Sequence, residues 1–541
     1  MKKIFKKIIA TTLCATMLTS CLAGCGDKGV KLPDYSSNNQ RFEFFTYRSP
    51  NNGKFYIDDL EYYAGETFRT VERYKEMLDC GFTILYNNEP IEKDTVFEGS
   101  ECEMIMERAY EAGFNKIINL DKRINNVIDG SRTCFDPDKV GVVKGYDPDP
   151  THYTYQSEEQ LKEFIKSCLK DYIDMPGFYG LVLQDEPRRH NADIYGKVYN
   201  QTKKAAAELG MDEIYLHSNF LPVGATSDHY VKKCNIVHTN EDPASECEFC
   251  IMAENETKNA DARYRDYLSD FFTEAQFDRV SADTYAFRGG LGLYPGMYPS
   301  IQILREETDK IGAELSYCLQ SFHMYSGTAE AFRRVDQAMM YMEMNSLVGF
   351  GASNFAYYTY FPHTESYTSG GDVGDGSFLT RDGERTNIWY YGQQLMKEMQ
   401  EFAPVVLSYD FKGAKFVQGD KIQYGIGPYM NGEVIGWKEV AWDNSHEFNL
   451  LKSAKIDNDI ALITELKDDE NDLYMYMVQN VIDPIKGRAG RTDMNVEVDF
   501  GSEYTHVAEF DCGHLKYVEL TDGVYKNTLS AGYAVYLIPL K

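Results

Sequence analysis

Basic residues are in short supply: 55 Lys and Arg stand against 84 Asp and Glu in 541 residues, a net charge of −29. Phosphate backbones are held by clustered cations, so no nucleic-acid partner is expected, and anionic polymers are disfavoured near neutral pH. Beyond the N-terminus no apolar run is long enough to span a bilayer. A G-x-G-x-x-G at a first strand-to-helix turn is missing, which argues against a doubly wound open sheet. So are G-x-S-x-G and an activated-Cys arrangement. His and Cys do not group as a three-ligand metal site, and no cofactor is called for. Nine Cys follow Cys25, at 80, 102, 134, 168, 234, 247, 250, 318 and 512. Scattered and odd in number, they do not make a disulfide framework. Cys247 and Cys250 form a C-x2-C without the second pair that zinc would want.

What is present is globular: 43% hydrophobic and 26% charged residues, in a chain too long for one ordinary core. The 41 Tyr and 30 Phe are a large stock of rings. Most belong in the core, and some are free to stack on sugar rings. The start, "MKKIFKKIIATTLCATMLTSCLAGCGDKG", is a targeting segment with a basic region (Lys2, Lys3, Lys6, Lys7) and a short apolar run. Its Leu22-Ala23-Gly24-Cys25 resembles the lipobox of bacterial lipoproteins, with "LTSC" at Cys21 a poorer match. That resemblance implies lipid attachment at Cys25, a membrane tether, and a protein whose bulk lies outside the cytoplasm.

After this leader (1–25) and a polar linker (26–40), apolar runs alternate with amphipathic ones. Strands are expected at 41–47, 82–89, 116–123, 178–187, 213–220, 279–287, 314–322 and 350–361. Helices are expected at 67–81, closing on Gly81, then 101–113, and 157–174 with Ser157 as N-cap. Further helices fall at 194–210, 257–276, 300–313, 329–349 and 387–404. Eight such units predict a parallel (β/α)8 TIM barrel over 41–410. From 411 to 541 the pattern changes to short alternating segments: "KIQYGIG", "EVIGWKEV", "IALITEL", "DLYMYMVQN", "MNVEVDF", "HVAEFD" and "YAVYLIP". Gly, Asn and Asp separate them, which predicts an all-β sandwich.

In such a barrel the loops after the strands make the active face. The polar residues at strand ends are Glu89, Asp121, Asp185, Glu186, His217, Asn219, Asp283, Tyr285, Gln320, His323 and Tyr358. Carboxylates dominate. Two of them, with aromatic faces, suit glycosidic bond cleavage, which needs one acid for the leaving oxygen and a second group for charge or water. "FYGLVLQDEP" (178–187) ends the fourth strand in Asp185-Glu186-Pro187. Its plainer reading is a solvated strand edge paired with Arg188 and Arg189. Aromatic subsites are expected from Tyr285, Tyr357, Tyr358, Tyr360 and Trp389. Alternation forbids Tyr357 and Tyr358 from both facing the lumen.

These features resemble the large glycoside hydrolase superfamily often called clan A, whose barrels carry an acid/base Glu after strand four, commonly in Asn-Glu-Pro. The resemblance implies Glu186 as general acid, with Asp185 in the place of the Asn. It also implies a nucleophile Glu after strand seven, where this chain has Gln320. The barrel-plus-sandwich layout resembles secreted polysaccharide-degrading enzymes, and "VELTDGVYKNTLSAGYAVYLIP" is similar to their accessory domains. Two repairs of the missing nucleophile stand open. Asp283 is one candidate second carboxylate. Alternatively Asp185 and Glu186 work together, as in substrate-assisted N-acetylhexosaminidases. A noncatalytic glycan-binding surface protein is the third reading. The implied partner is carbohydrate, with Gln320, His323, Tyr285, Tyr358, Asn219 and Trp389 as binding candidates.

Overall fold

Eight of the apolar runs become eight short parallel strands: β1 (Glu43–Thr46), β2 (Leu85–Ile91), β3 (Ile117–Asp121), β4 (Phe178–Asp185), β5 (Tyr215–Phe220), β6 (Arg279–Asp283), β7 (Glu314–Gln320) and β8 (Ala352–Tyr358). The computed structural model describes residues 31–57, 60–63, 67–92, 95–129, 157–223, 260–289, 292–294, 296–326, 329–362, 377–419, 433–434, 437–438, 442–457, 460–481 and 491–541. Cys25, Cys134, Cys234, Cys247, Cys250 and the "KIQYGIG" segment lie outside them.

The strands lie in the order β1-β8-β7-β6-β5-β4-β3-β2, and every neighbouring pair is parallel. The ring closes at the start of β2, where the N–H groups of Thr83 and Ile84 donate to Phe44 O at 2.8 and 3.0 Å. Alternation sorts the side chains. Phe45, Tyr47, Ile84, Tyr86, Ile118, Val182, Tyr215, Cys318 and Ala356 fill the lumen. Phe44, Leu85, Ile117, Leu181, Leu216, Val280, Leu315 and Phe355 pack outward under the helices. Gly180 lets β4 approach β5, since a Cβ there would sit 1.8 Å from Tyr215 O.

The helices are α1 (Val71–Cys80), α2 (Glu101–Ala112), α3 (Lys122–Asp129), α4 (Glu158–Leu169), α5 (Ala192–Glu208), α6 (Ala260–Glu274), α7 (Met297–Ile311), α8 (Gln337–Gly349) and α9 (Asn387–Val406). Ser157 caps α4 by accepting from Gln160 N, and Gly81 ends α1 at φ 115°. Two expectations are corrected. The third strand stops at Asp121, whose carboxylate accepts from Arg123 N at 3.0 Å and starts the unforeseen α3. The helix expected over 329–349 begins only at Gln337, capped by Asp336. Ala329–Phe332 is instead a strand, in a small antiparallel sheet with Met324–Ser326, Phe287–Arg288 and Gly292–Leu293. That sheet joins the connections that follow β6 and β7.

From Asp410 the chain is antiparallel. Strands β9 (Asp410–Gln418), β10 (Ser453–Ile456), β11 (Ile460–Asp468), β12 (Leu473–Val481), β13 (Met494–Asp499), β14 (His506–Asp511), β15 (His514–Glu519), β16 (Val524–Leu529) and β17 (Ala534–Leu540) make two sheets. Their orders are β9-β11-β12-β17-β14-β15 and β10-β13-β16. Ile463, Tyr476, Val478, Val496, Val498, Val507 and Leu537 lie between them. The other face of the larger sheet, with Leu462, Met477, Phe510, Tyr536 and Ile538, joins the barrel core. The seam carries polar clasps as well. Gln479 donates to Met342 O at 2.8 Å and accepts from Ser346 Oγ at 2.7 Å, and Tyr536 OH reaches Asn345 at 3.0 Å. Helix α8 is therefore buried on every side, against β7 and β8 within and the sheet without.

Residues 31–40 are tied down too. Tyr35 OH donates to Asp468 at 2.8 Å, and Asn38 donates to Pro404 O at 2.8 Å. Among the described residues no helix is long and apolar enough to cross a membrane. Cys80, Cys102, Cys168, Cys318 and Cys512 are free thiols.

Candidate active site

The end of β4 is wired to its two neighbours on one side. Asn219 of β5 donates from Nδ2 to Asp185 Oδ1 at 2.8 Å, and its carbonyl accepts from Glu186 N at 2.8 Å. Asn219 Oδ1 in turn accepts from Ser281 Oγ of β6 at 3.1 Å. Glu186 has φ 49°, a left-handed backbone rare for a residue with a side chain and more so before proline. The turn beyond it is pinned: Tyr267 OH of α6 donates to Pro187 O at 2.6 Å, and Arg189 pairs with Asp270 at 2.8 Å. Arg189 therefore has its carboxylate partner in α6.

Asp283, at the end of β6, meets this turn. It is 5% exposed and lies close enough to Glu186 and Tyr285 for their carboxyl and hydroxyl to act on its own. Its Oδ1 is buried without a partner. Burial, then the charge of Asp185, push the Glu186 carboxyl up to about 7, against a smaller lowering by the Asp283 hydrogen bond. Burial, then Glu186 and Asp185, hold Asp283 well above the carboxylate range. Two neighbouring carboxyls set against protein cannot both ionise cheaply. Asp185 is raised by burial, offset by the Asn219 hydrogen bond and the Arg48 charge. Yet Asp185 and Glu186 are both solvent-exposed. Walls of protein surround them, and water enters through the mouth.

The walls are aromatic. Tyr285 stands edge-on to Phe322 with centroids 4.8 Å apart, Tyr358 lies 5.3 Å from Phe322 and 6.1 Å from Tyr47, and Tyr47 is 5.4 Å from Tyr86. Of the rings expected here, Tyr285 and Tyr358 are in place. Tyr357 points outward to Phe82 and Phe378, and Tyr360 packs on Phe378. Trp389 is 2% exposed in α9 under the Arg385 guanidinium, 3.9 Å from its ring centre. It is a helix-packing residue and not part of the mouth. His217 is buried, its Nε2 3.0 Å from Tyr47 OH, and burial with the Arg279 charge lowers it to about 3. It stays neutral and fixes Tyr47. His323 is buried just past β7. Asp121 is turned away into a bridge with Arg123, and Glu89 pairs with Arg69.

Gln320 is corrected from a substrate-binding group to a structural clip. It is fully buried, accepts from Phe287 N at 2.9 Å, and reaches Phe287 O, Phe322 O and Arg333 O within 3.3 Å. Its own N–H donates to Glu343 of α8 at 3.1 Å. All its capacity goes to holding together the two connections of the small sheet. Sequence reasoning missed Arg48, Tyr47, Tyr86 and Phe322. "TYRSP" at the end of the first strand held the signal for Tyr47 and Arg48. Tyr86 lies inside β2, where the strand-end rule does not look.

No family model matches the chain, and no curated protein matches it. Among solved structures the chain is similar to a glycoside hydrolase family 5 protein from Bacteroides vulgatus, at 11% identity and TM-score 0.43, over 92% of this chain and 89% of that one. An Anoxybacillus alpha-amylase is similar at 11% identity and TM-score 0.42, over 92% and 98%. A GH30 endoxylanase from Clostridium papyrosolvens is similar at 12% identity and TM-score 0.37, over 93% and 96%. The fold assignment rests on the strand pairing itself.

Proposed function

We propose that the chain is a glycoside hydrolase with Glu186 as its general acid. One observation carries this reading: a water-exposed Glu at the barrel mouth, raised to about 7 by burial and by Asp185. Such a group still holds a proton near neutral pH and can give it to a leaving glycosidic oxygen. The rings of Tyr285 and Tyr358 offer faces for sugars.

The second group decides the mechanism. Carboxyls that flank a scissile bond stand about 5–5.5 Å apart for retention or about 6.5–9.5 Å for inversion. Asp283 is buried, 5% exposed, where a sugar has little access to it. Asp185 remains, held by Asn219 and exposed beside Glu186. This favours the substrate-assisted route on a 2-acetamido sugar. The acetamido oxygen attacks the anomeric carbon, Asp185 orients the acetamido N–H, and the bond to the leaving oxygen breaks as Glu186 protonates it. Asp283 then stands as the buried neighbour of Glu186.

The test is turnover of aryl-glycosides with and without the 2-acetamido group by wild type, Asp185→Asn and Asp283→Asn. Activity confined to acetamido substrates and lost in Asp185→Asn supports the route. Turnover of plain glycosides with the severe loss in Asp283→Asn returns the role to Asp283. Full activity of Glu186→Gln on natural glycans overturns its assignment as the acid, and a wild type that binds but turns over none of these substrates leaves the glycan-binding reading. We also propose export and a lipid anchor at Cys25, on the leader and its "LAGC".

A further inference from the structure

In a chain with acid to spare, several half-buried arginines find carboxylates. Arg123 holds Asp121 and Asp171, Arg279 holds Glu314, and Arg491 holds Asp336. Arg288 does not. It sits on the small sheet beyond β6, half-buried, its guanidinium 4.1 Å from the centre of Phe332 and 5.0 Å from that of Tyr294. Nε donates to Tyr285 O at 3.1 Å. Among the described residues its two terminal nitrogens meet no carboxylate and make no hydrogen bond. Phe332 packs in turn on Tyr285 and Phe322, 5.8 and 4.9 Å away, so the cation lies at the rim of the aromatic wall. Its neighbour Arg333 donates from Nε and one terminal nitrogen to Gly289 O and also has no carboxylate among the described residues. Partial loss of water with no carboxylate in contact, only the more distant charge of Asp283, is costly, and stacking on two rings recovers only part of that cost.

We propose that Arg288 makes this rim a subsite for one acidic sugar, a uronic acid whose carboxylate is taken end-on by the two terminal guanidinium nitrogens. The inference rests on the mouth being a glycan site. With Nε committed to Tyr285 O, the remaining pair of donors matches the two oxygens of a planar carboxylate. The net charge of −29 opposes a polyanion as a whole. A single anionic residue escapes that opposition, because screening limits distant charges to about 8 Å at physiological salt. The expected ligand is therefore a mostly neutral glycan with isolated uronate units.

The experiment is calorimetric binding to the full-length Glu186→Gln protein, in which turnover is slowed. Three tetrasaccharides differ only at C6 of one hexose, as hydroxyl, carboxylate or sulfate ester. The carboxylate form should bind about tenfold tighter than the hydroxyl form. Arg288→Gln should bring that ratio close to one, and Arg288→Lys, a charge without the fork, should recover part of it. Circular dichroism of each variant checks that it is folded. Equal binding of hydroxyl and carboxylate forms overturns this inference and leaves the hydrolase reading standing. Equal binding of sulfate and carboxylate overturns the uronate assignment. Failure of all three to bind overturns the glycan reading and this inference together.

Discussion

Glu186 combines a left-handed backbone with a carboxyl group that resists ionising, and both work against stability. An ordinary Glu titrates at 4.5 and this one at about 7. Between those values the folded state binds more protons than the unfolded one, so this group's contribution to stability is lost as pH rises through the window. Glu186→Gln should therefore raise Tm at pH 8, and the gain should shrink to nothing near pH 4, as a pH series of melting curves would show. The same substitution should slow cleavage of poor leaving groups by about 10²- to 10⁴-fold and of activated aryl-glycosides much less. Wild-type kcat should decline as pH rises past about 7, where the acid is spent. The carboxylates were legible in the sequence because strand-end polar residues in a barrel have one place to point. Arg288 was not: its meaning comes from Phe332 and Tyr294 beneath it and from a carboxylate it lacks, and no local pattern encodes those.

The clip made by Gln320 explains the departure at strand seven better than a lost nucleophile does. A Gln offers both a donor and an acceptor, and Phe287 uses both. Gln320→Glu would set a carboxylate against three carbonyls and strand them. The expected result is a loss of roughly 3–5 kcal/mol, read as a lower urea midpoint, with no gain in glycosidase rate. At this scale the parallel strands were readable, since strands buried on both faces appear as apolar runs. The strand Ala329–Phe332 was not. It pairs with Met324–Ser326 just before it and with Phe287–Arg288 after another barrel strand, and those pairings outweighed a helical-looking stretch. Helix α8 hid its surroundings as well, for the apolar face turned away from the barrel is explained only by the sheet that covers it.

For the molecule as a whole, that sheet makes the barrel and the sandwich one cooperative body. Its two faces belong to two cores, one shared with α8 and α9 and one with the smaller sheet. Scanning calorimetry should show a single unfolding transition. A chain ending at residue 408 should be insoluble when expressed, because α8 would meet water along Met342, Ser346 and Asn345. If the two parts melt separately, or the shortened chain stays soluble and folded, the seam is weaker than its contacts imply. The proposed lipid anchor is tested on the same scale: Cys25→Ser should move the protein from the membrane fraction into the soluble one, and retention would count against it.

The clip also bears on the heat of recognition. Tyr285, Phe322 and Phe332 stand on connections already fastened to each other, so the wall they form is set before any ligand arrives. A sugar resting on it orders little that was not ordered, and the entropic penalty of association should be small. Releasing the clip, as Gln320→Ala would, should leave the rings chemically intact yet make binding more exothermic and entropically worse, a change visible in the temperature dependence of affinity.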